Sequence, residues 1–183
     1  MATDRNAVLI AAVGVLSRQP TAAMDEIARA AGISRATLHR MFPGRDALVH
    51  EVGAHALRRL NEALDSARPE EGDPVAAVRR LAEAFIPHAS LAAFVAGENR
   101  LYDDESINDA WDVLDARVAA LFLRGQQCGA LRVELTAAWL SEAFLDLLAG
   151  VGWAVQEGRL APRDSTHALT ELFLGGALRR DPA

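Results

Sequence analysis

Apolar residues recur along this chain at intervals of three and four, and no stretch alternates apolar and polar residues as a half-buried strand would. Val8, Leu9, Ala12, Val15 and Leu16 form the first helical stripe, closed by Pro20. Met24, Ile27, Ala28 and Ala31 form a short second one, stopped by Gly32, the residue type best suited to a left-handed cap. Ser34 has the hydroxyl to cap a third helix with Leu38, Met41 and Phe42 inward, until Pro43 and Gly44 break it. Two short helices therefore meet at a three-residue turn.

A fourth helix is expected from Arg45 to about Ser66, with Leu48, Val52, Leu60 and Leu64 on one side, and the stretch ARPEEGDP reads as a loop. Asp73 and Pro74 signal the cap and first turn of a fifth helix through Phe85, which Pro87 ends or kinks. The pattern assigns no element to residues 88–103. Ser106 is the expected cap of a helix carrying Trp111, Leu114, Val118, Leu121 and Phe122, ending near Gly125 or Gly129.

The last two helices, roughly Thr136 to Glu157 and Pro162 to Arg180, are apolar around most of their circumference. Such helices are buried on more than one side. They are expected to face the core on one side and a second subunit on the other, with Gly175 and Gly176 allowing close approach. The fold class that follows is all-α with about nine helices: an N-terminal three-helix bundle containing a helix-turn-helix, and a C-terminal helical domain.

With 51% hydrophobic and 24% charged residues, the 183-residue chain can bury a sizeable core. No run is expected to be long and apolar enough to span a membrane and no secretory layout is expected, so the expected location is cytoplasmic, with no membrane partner. A single cysteine, Cys128, excludes an intrachain disulfide and a cysteine-rich metal site; it reads as a small buried hydrophobe. Charge is unevenly spread. Residues 1–50 carry six arginines against four carboxylates, a net +2, which leaves −8 for the rest of a chain whose total is −6. A weakly basic head on an acidic body fits contact with an anion through the head alone.

A helix, a tight turn and a capped second helix are the parts of a helix-turn-helix, whose second helix enters the DNA major groove by its N-terminal end. At about 100° per residue, Leu38 and Phe42 share a face, while Arg35, Ala36, His39 and Arg40 fall largely away from it. Arg35 or Arg40 suits a guanine edge, and small Ala36 permits close approach or contact with a thymine methyl. Thr37, His39 and the first-turn amides of helix four beside Arg45 suit phosphates. With Ser34 at the cap, these seven residues are the candidate DNA-binding set.

The run MDEIARAAGISRATLHRMFPGRDALV resembles the TetR family of bacterial transcriptional regulators, through Ile27, Ala28, Ala31, Gly32, Ser34, Thr37, Leu38, Phe42, Asp46 and Leu48. That resemblance implies a DNA-binding domain over 1–50, a helical ligand-binding and dimerisation domain over 51–183, and repression relieved by a small molecule. It further implies a homodimer, joined through the last two helices, on a double-stranded, pseudo-palindromic operator. Three positions depart from the family pattern: His39 replaces a tyrosine, Arg45 replaces a lysine, and Ala23 stands where Ser or Thr would cap helix two, a loss of about 1 kcal/mol.

Phe85, His88, Phe94, Tyr102, Trp111, Trp139 and Phe144 are candidates to line a pocket for an apolar or aromatic effector, each being alternatively a core residue. His50 and His55 evoke a zinc-protease helix but are five apart, about 140° around a helix rather than one turn. They read as surface or interface histidines, with Glu51 spaced to pair with His55. No nucleophile with a nearby base, phosphate loop or metal-ligand spacing is present, so neither catalysis nor a cofactor or metal is expected. The alternative to a regulator is a dimeric helical ligand-binding or interaction module that has lost specific DNA binding.

Overall fold

Five of the nine α-helices among the described residues begin at a side-chain cap. The computed structural model describes residues 4–179. Among them are nine α-helices, three short 3-10 turns and one isolated β-bridge, Leu131 to Leu178. Helix α1 spans Arg5–Leu16, α2 Met24–Ala30, α3 Arg35–Met41, α4 Arg45–Ala67 and α5 Pro74–Phe85. Helix α6 spans Ala89–Gly97, α7 Glu105–Gln127, α8 Ala137–Gln156 and α9 Ser165–Ala177. The side chains of Asp4, Ser34, Asp73, Asp104 and Thr136 accept from amides in the first turns of α1, α3, α5, α7 and α8.

Ala23 has no oxygen to offer α2, but Glu26 reaches back to accept from the Ala23 amide at 2.7 Å, which keeps half of a capping box. Gly32 ends α2 with φ +67°, as its position requires. Beyond Phe85 the chain makes a 3-10 turn over Ile86–His88 and resumes as α6, an element the sequence pattern did not assign. Helix α7 starts one residue before the expected cap: Asp104 Oδ1 accepts from the amides of Ser106 and Ile107. The final helix is shorter than expected, ending at Ala177, and Arg180 lies outside the described residues.

Helix α4 runs unbroken through residue 50, packing on α1 early and on α5, α6 and α7 later. It is the mechanical link between the three-helix head and the body. In the body, Phe85, Phe122, Phe144 and Phe173 stack into one aromatic cluster, with Phe144 and Phe173 edge to face at 5.1 Å. Helices α6 and α8 pack through small residues. A Cβ on Gly152 would stand 2.3 Å from the Ala89 carbonyl oxygen, so only glycine fits there. Gly175 and Gly176, by contrast, have nothing within 4 Å of where a Cβ would lie.

Helix α8 corrects the reading on membrane-length runs: its 20 residues have a mean hydropathy of 1.3. Length and composition alone would let it cross a bilayer. It is instead the central helix of the body, packed against α6, α7 and α9, with Leu140, Phe144, Leu145 and Leu148 buried. Its outward face is also apolar. Trp139 and Leu172 are 58% and 66% exposed, lining with Leu147, Val151 and Leu160 an open groove of about 560 Å³ between α8 and α9.

Cys128 is exposed, contrary to its expected burial, because it follows the last turn of α7, where its thiol reaches only the Gly125 carbonyl. His55 is buried rather than on the surface, and Glu51 pairs with Arg5 at 3.2 Å instead of with His55.

Candidate functional site

Helix α3 divides as a groove-reading helix must. Leu38 and Phe42 are fully buried, while Arg35, Ala36, His39 and Arg40 are exposed and Thr37 is half-buried. Ser34 Oγ accepts from the Thr37 amide at 3.1 Å and lies 2.9 Å from its hydroxyl, so both hydroxyls are occupied in locking the start of the helix. Arg5 fixes the other end. Its guanidinium stacks 4.4 Å above the Phe42 ring and donates to the Met41 carbonyl at 3.2 Å.

The two arginines expected to read or clamp differ in freedom. Arg35 reaches across to α2, where its Nε lies 3.1 Å from Asp25 Oδ1 and its Nη1 donates to Oδ2 at 3.3 Å. Arg40 has no side-chain partner among the described residues and projects into solvent. Arg45 is half-buried, donating to the carbonyls of Pro20 and Ala22, and so ties the α1–α2 connection to the start of α4. Gly44 at the α4 N-terminus provides no side-chain cap, which leaves first-turn amides open to an anion.

The seven residues considered for an effector pocket do not converge. Phe85 and Phe144 have no exposed surface, Phe94 is buried, and Trp139 belongs to the outer α8–α9 groove. His88 is half-buried at the end of the 3-10 turn, its imidazole held below the usual range by burial and then by Arg59. Only Tyr102 and Trp111 share a cavity. It holds about 150 Å³ between α6, α7 and α8, and Val95, Leu101, Glu142 and Asp146 also line it. Both carboxylates are exposed, an i, i+4 acidic pair on α8 that the sequence shows as ordinary solvated surface; only the packing of α7 beside α8 brings Trp111 into the same cavity lining.

The segment between α6 and α7 touches this cavity on one side and α4 on the other. Leu101 lines the cavity and packs on Gly53. Arg100 pairs with Asp46 at 3.4 Å, and the Asp104 carboxylate meets His50 Nδ1. Hydrogen bonds from Ser106 and from His50 hold the Asp104 carboxyl below its usual range. The first turns of α4, which leave the head, are therefore bonded to the wall of the cavity.

A helix-turn-helix head with an exposed arginine-bearing third helix, joined by a long helix to a helical body, defines a DNA-binding transcriptional regulator. Comparison with known proteins agrees. The profile described as "Bacterial regulatory proteins, tetR family" matches residues 8–52. The chain is 35% identical over 176 residues to the HTH-type transcriptional regulator NfxB of Pseudomonas aeruginosa, covering 95% of this chain and 94% of that protein. It is 31% identical over 154 residues to the HTH-type transcriptional repressor LfrR of Mycolicibacterium smegmatis, covering 84% and 80%. The crystal structure of the TetR-like regulator LfrR from Mycobacterium smegmatis in complex with proflavine superposes with a TM-score of 0.77 at 28% identity, covering 96% of this chain and 97% of that one. The chain belongs to the TetR family of bacterial transcriptional regulators.

Proposed function

We propose that the protein is a cytoplasmic, homodimeric repressor that places one α3 from each subunit in successive major grooves of a pseudo-palindromic operator, and that an aromatic small molecule releases it. The observation that carries this reading is the α3 surface: a reading face of Arg35, Ala36, His39 and Arg40 opposite an anchor of Leu38 and Phe42. Residues 1–50 act as the DNA-binding unit, and 51–183 as the effector-binding and dimerisation unit. Arg40, unpaired among the described residues, is ready for a base edge or phosphate, whereas Arg35 must share itself with Asp25. Arg45 serves DNA binding mainly by setting the head's geometry, and the α4 amides beside it take a phosphate.

Dimerisation uses the apolar groove between α8 and α9. Its exposed Trp139 and Leu172, with the bare Gly175 and Gly176, form a face with no cover among the described residues. The effector occupies the cavity at Tyr102 and Trp111, in keeping with the capture of proflavine, an aromatic dye, by the relative LfrR. Release follows when the effector favours a position of Leu101 that displaces α4, since a ligand shifts an equilibrium only through differential affinity for its two states.

Selection from a randomised duplex library at physiological salt tests the reading, with an Arg35→Ala, Arg40→Ala double variant in parallel. Enrichment of an inverted repeat by the unaltered protein alone is the expected result. A folded dimer that enriches nothing would instead be a helical interaction module that has lost its operator.

A further inference from the structure

We infer that the cavity between α6, α7 and α8 selects a positively charged aromatic ligand, with Glu142 and Asp146 as the residues that set this specificity. The inference rests on the proposed reading of that cavity as the effector site and adds the charge of the ligand to it.

Four observations converge. The walls are apolar and aromatic, with Val95, Leu101 and Trp111 inside and Tyr102 at the edge. The charged side chains that line it among the described residues are the carboxylates Glu142 and Asp146, with no arginine, and Asp146 lies where this cavity and the α8–α9 groove both reach it. Both carboxylates are exposed, and neither has an ion pair among the described residues, which leaves their charge free for a ligand. The same seam carries a third acid in want of a partner. Asp115, one helical turn beyond Trp111 on α7, has an Oδ1 that is buried without a hydrogen bond. Its backbone carbonyl accepts from Ser141, next to Glu142, at 3.3 Å.

Unpaired carboxylates beside an indole ring favour a delocalised organic cation. The ring face attracts the positive charge, the acids neutralise it, and the apolar walls take the flat body. A neutral ligand of the same shape would leave the acids to water and gain nothing from them, and an anion would be repelled. At about 150 Å³ the cavity is smaller than the 300–1,000 Å³ or so of drug-sized sites. A multi-ring cation must therefore displace part of its wall. Tyr102 is the part placed to yield: it is 60% exposed and held to α6 by one hydrogen bond, from its hydroxyl to the Ala96 carbonyl at 3.1 Å.

The test is titration of the full-length protein at pH 7.5 with proflavine, which is cationic at that pH, and with acridine, its neutral parent ring, read by tryptophan quenching and calorimetry. A Glu142→Gln, Asp146→Asn double variant keeps the shape and removes the charge, and a Trp111→Ala variant reports on the cavity. Proflavine should bind at least about tenfold tighter than acridine. The double variant should lose about that factor for proflavine, equal to about 1.4 kcal/mol, while acridine binding stays within about twofold. Equal affinity for the two dyes, or equal loss of both in a double variant that melts like the parent, would overturn the charge inference and leave the cavity reading standing. If neither dye binds, or if dye binding ignores Trp111→Ala, the cavity reading itself fails and the inference falls with it.

Discussion

Leu101 and Gly53 are packed so closely that a Cβ on the glycine would stand 2.9 Å from Leu101 Cδ2. The glycine lies within α4 and the leucine in the wall of the cavity, so this contact joins the proposed effector site to the helix that leaves the head. Gly53→Ala should push the leucine end toward the cavity, at little cost to stability because a flexible side chain yields and alanine favours the helix by about 1 kcal/mol. Proflavine affinity should drop several-fold while operator affinity, measured by fluorescence anisotropy, is kept. Unchanged dye binding would remove Leu101 from the coupling.

Arg40→Ala should cost about 1 to 3 kcal/mol of operator affinity and relax preference at one base pair if the side chain reads a base. Uniform weakening on all sequences would mark a phosphate contact. Asp25→Ala separates the roles of Arg35: freeing it from its ion pair should raise affinity for non-specific duplex and steepen the salt dependence, since one more cation becomes available to phosphate. A flat response in duplex competition would show that Asp25 does not restrain it.

Glycines in the last helices should respond in opposite ways. Gly152→Ala places a methyl against the Ala89 carbonyl, a backbone atom that cannot move aside, and overpacking of this kind costs about 1 to 3 kcal/mol or more. Its melting temperature should fall by several degrees. Gly176→Ala meets nothing within 4 Å among the described residues, so the subunit fold should be intact. Sedimentation should nevertheless show a weaker dimer if α9 forms the interface.

Leu172→Glu provides the direct test of that face. A leucine 66% exposed in the single chain loses little by substitution unless another subunit covers it. A buried, unpaired glutamate would disfavour association by several kcal/mol. The expected product is a folded monomer by circular dichroism and sedimentation, with operator affinity lost. A dimer of parental strength would move the interface elsewhere.

Stability should fall on mild acidification. Burial, and then Arg58 and Arg59, lower the His55 imidazole below 6.5; burial and then Arg59 do the same for His88, with Glu62 opposing in both cases. A histidine depressed in the fold contributes stability that is complete above about pH 6.5, its unfolded value, and is lost as pH falls from there toward the folded value, because the unfolded chain takes up the proton first. The melting temperature of the parent should therefore decline below that pH more steeply than that of a His55→Gln, His88→Gln double variant. Parallel curves would assign the decline to other groups.

The sequence by itself determined the elements whose signals are local. The caps at Ser34 and Asp73, the left-handed Gly32 and the apolar spacing of α1 to α5 place the head and the first body helix within a residue or two, because capping and periodicity act over one turn. The split of α3 into a buried side of Leu38 and Phe42 and an exposed side of Arg35, Ala36, His39 and Arg40 was legible for the same reason. What lies inside the body was not. Phe85 and Phe144 look like pocket residues on their own helices, but Phe122 and Phe173 arrive from distant positions to seal them into the core. Glu142 and Asp146 are exposed in the structure as in the sequence reading, and only the packing of α7 beside α8 puts them in one cavity lining with Trp111. Helix α6, with few polar marks to give it a direction, takes its place from small residues closing on Gly152. Such contacts join residues tens of positions apart, and only tertiary packing decides which faces meet.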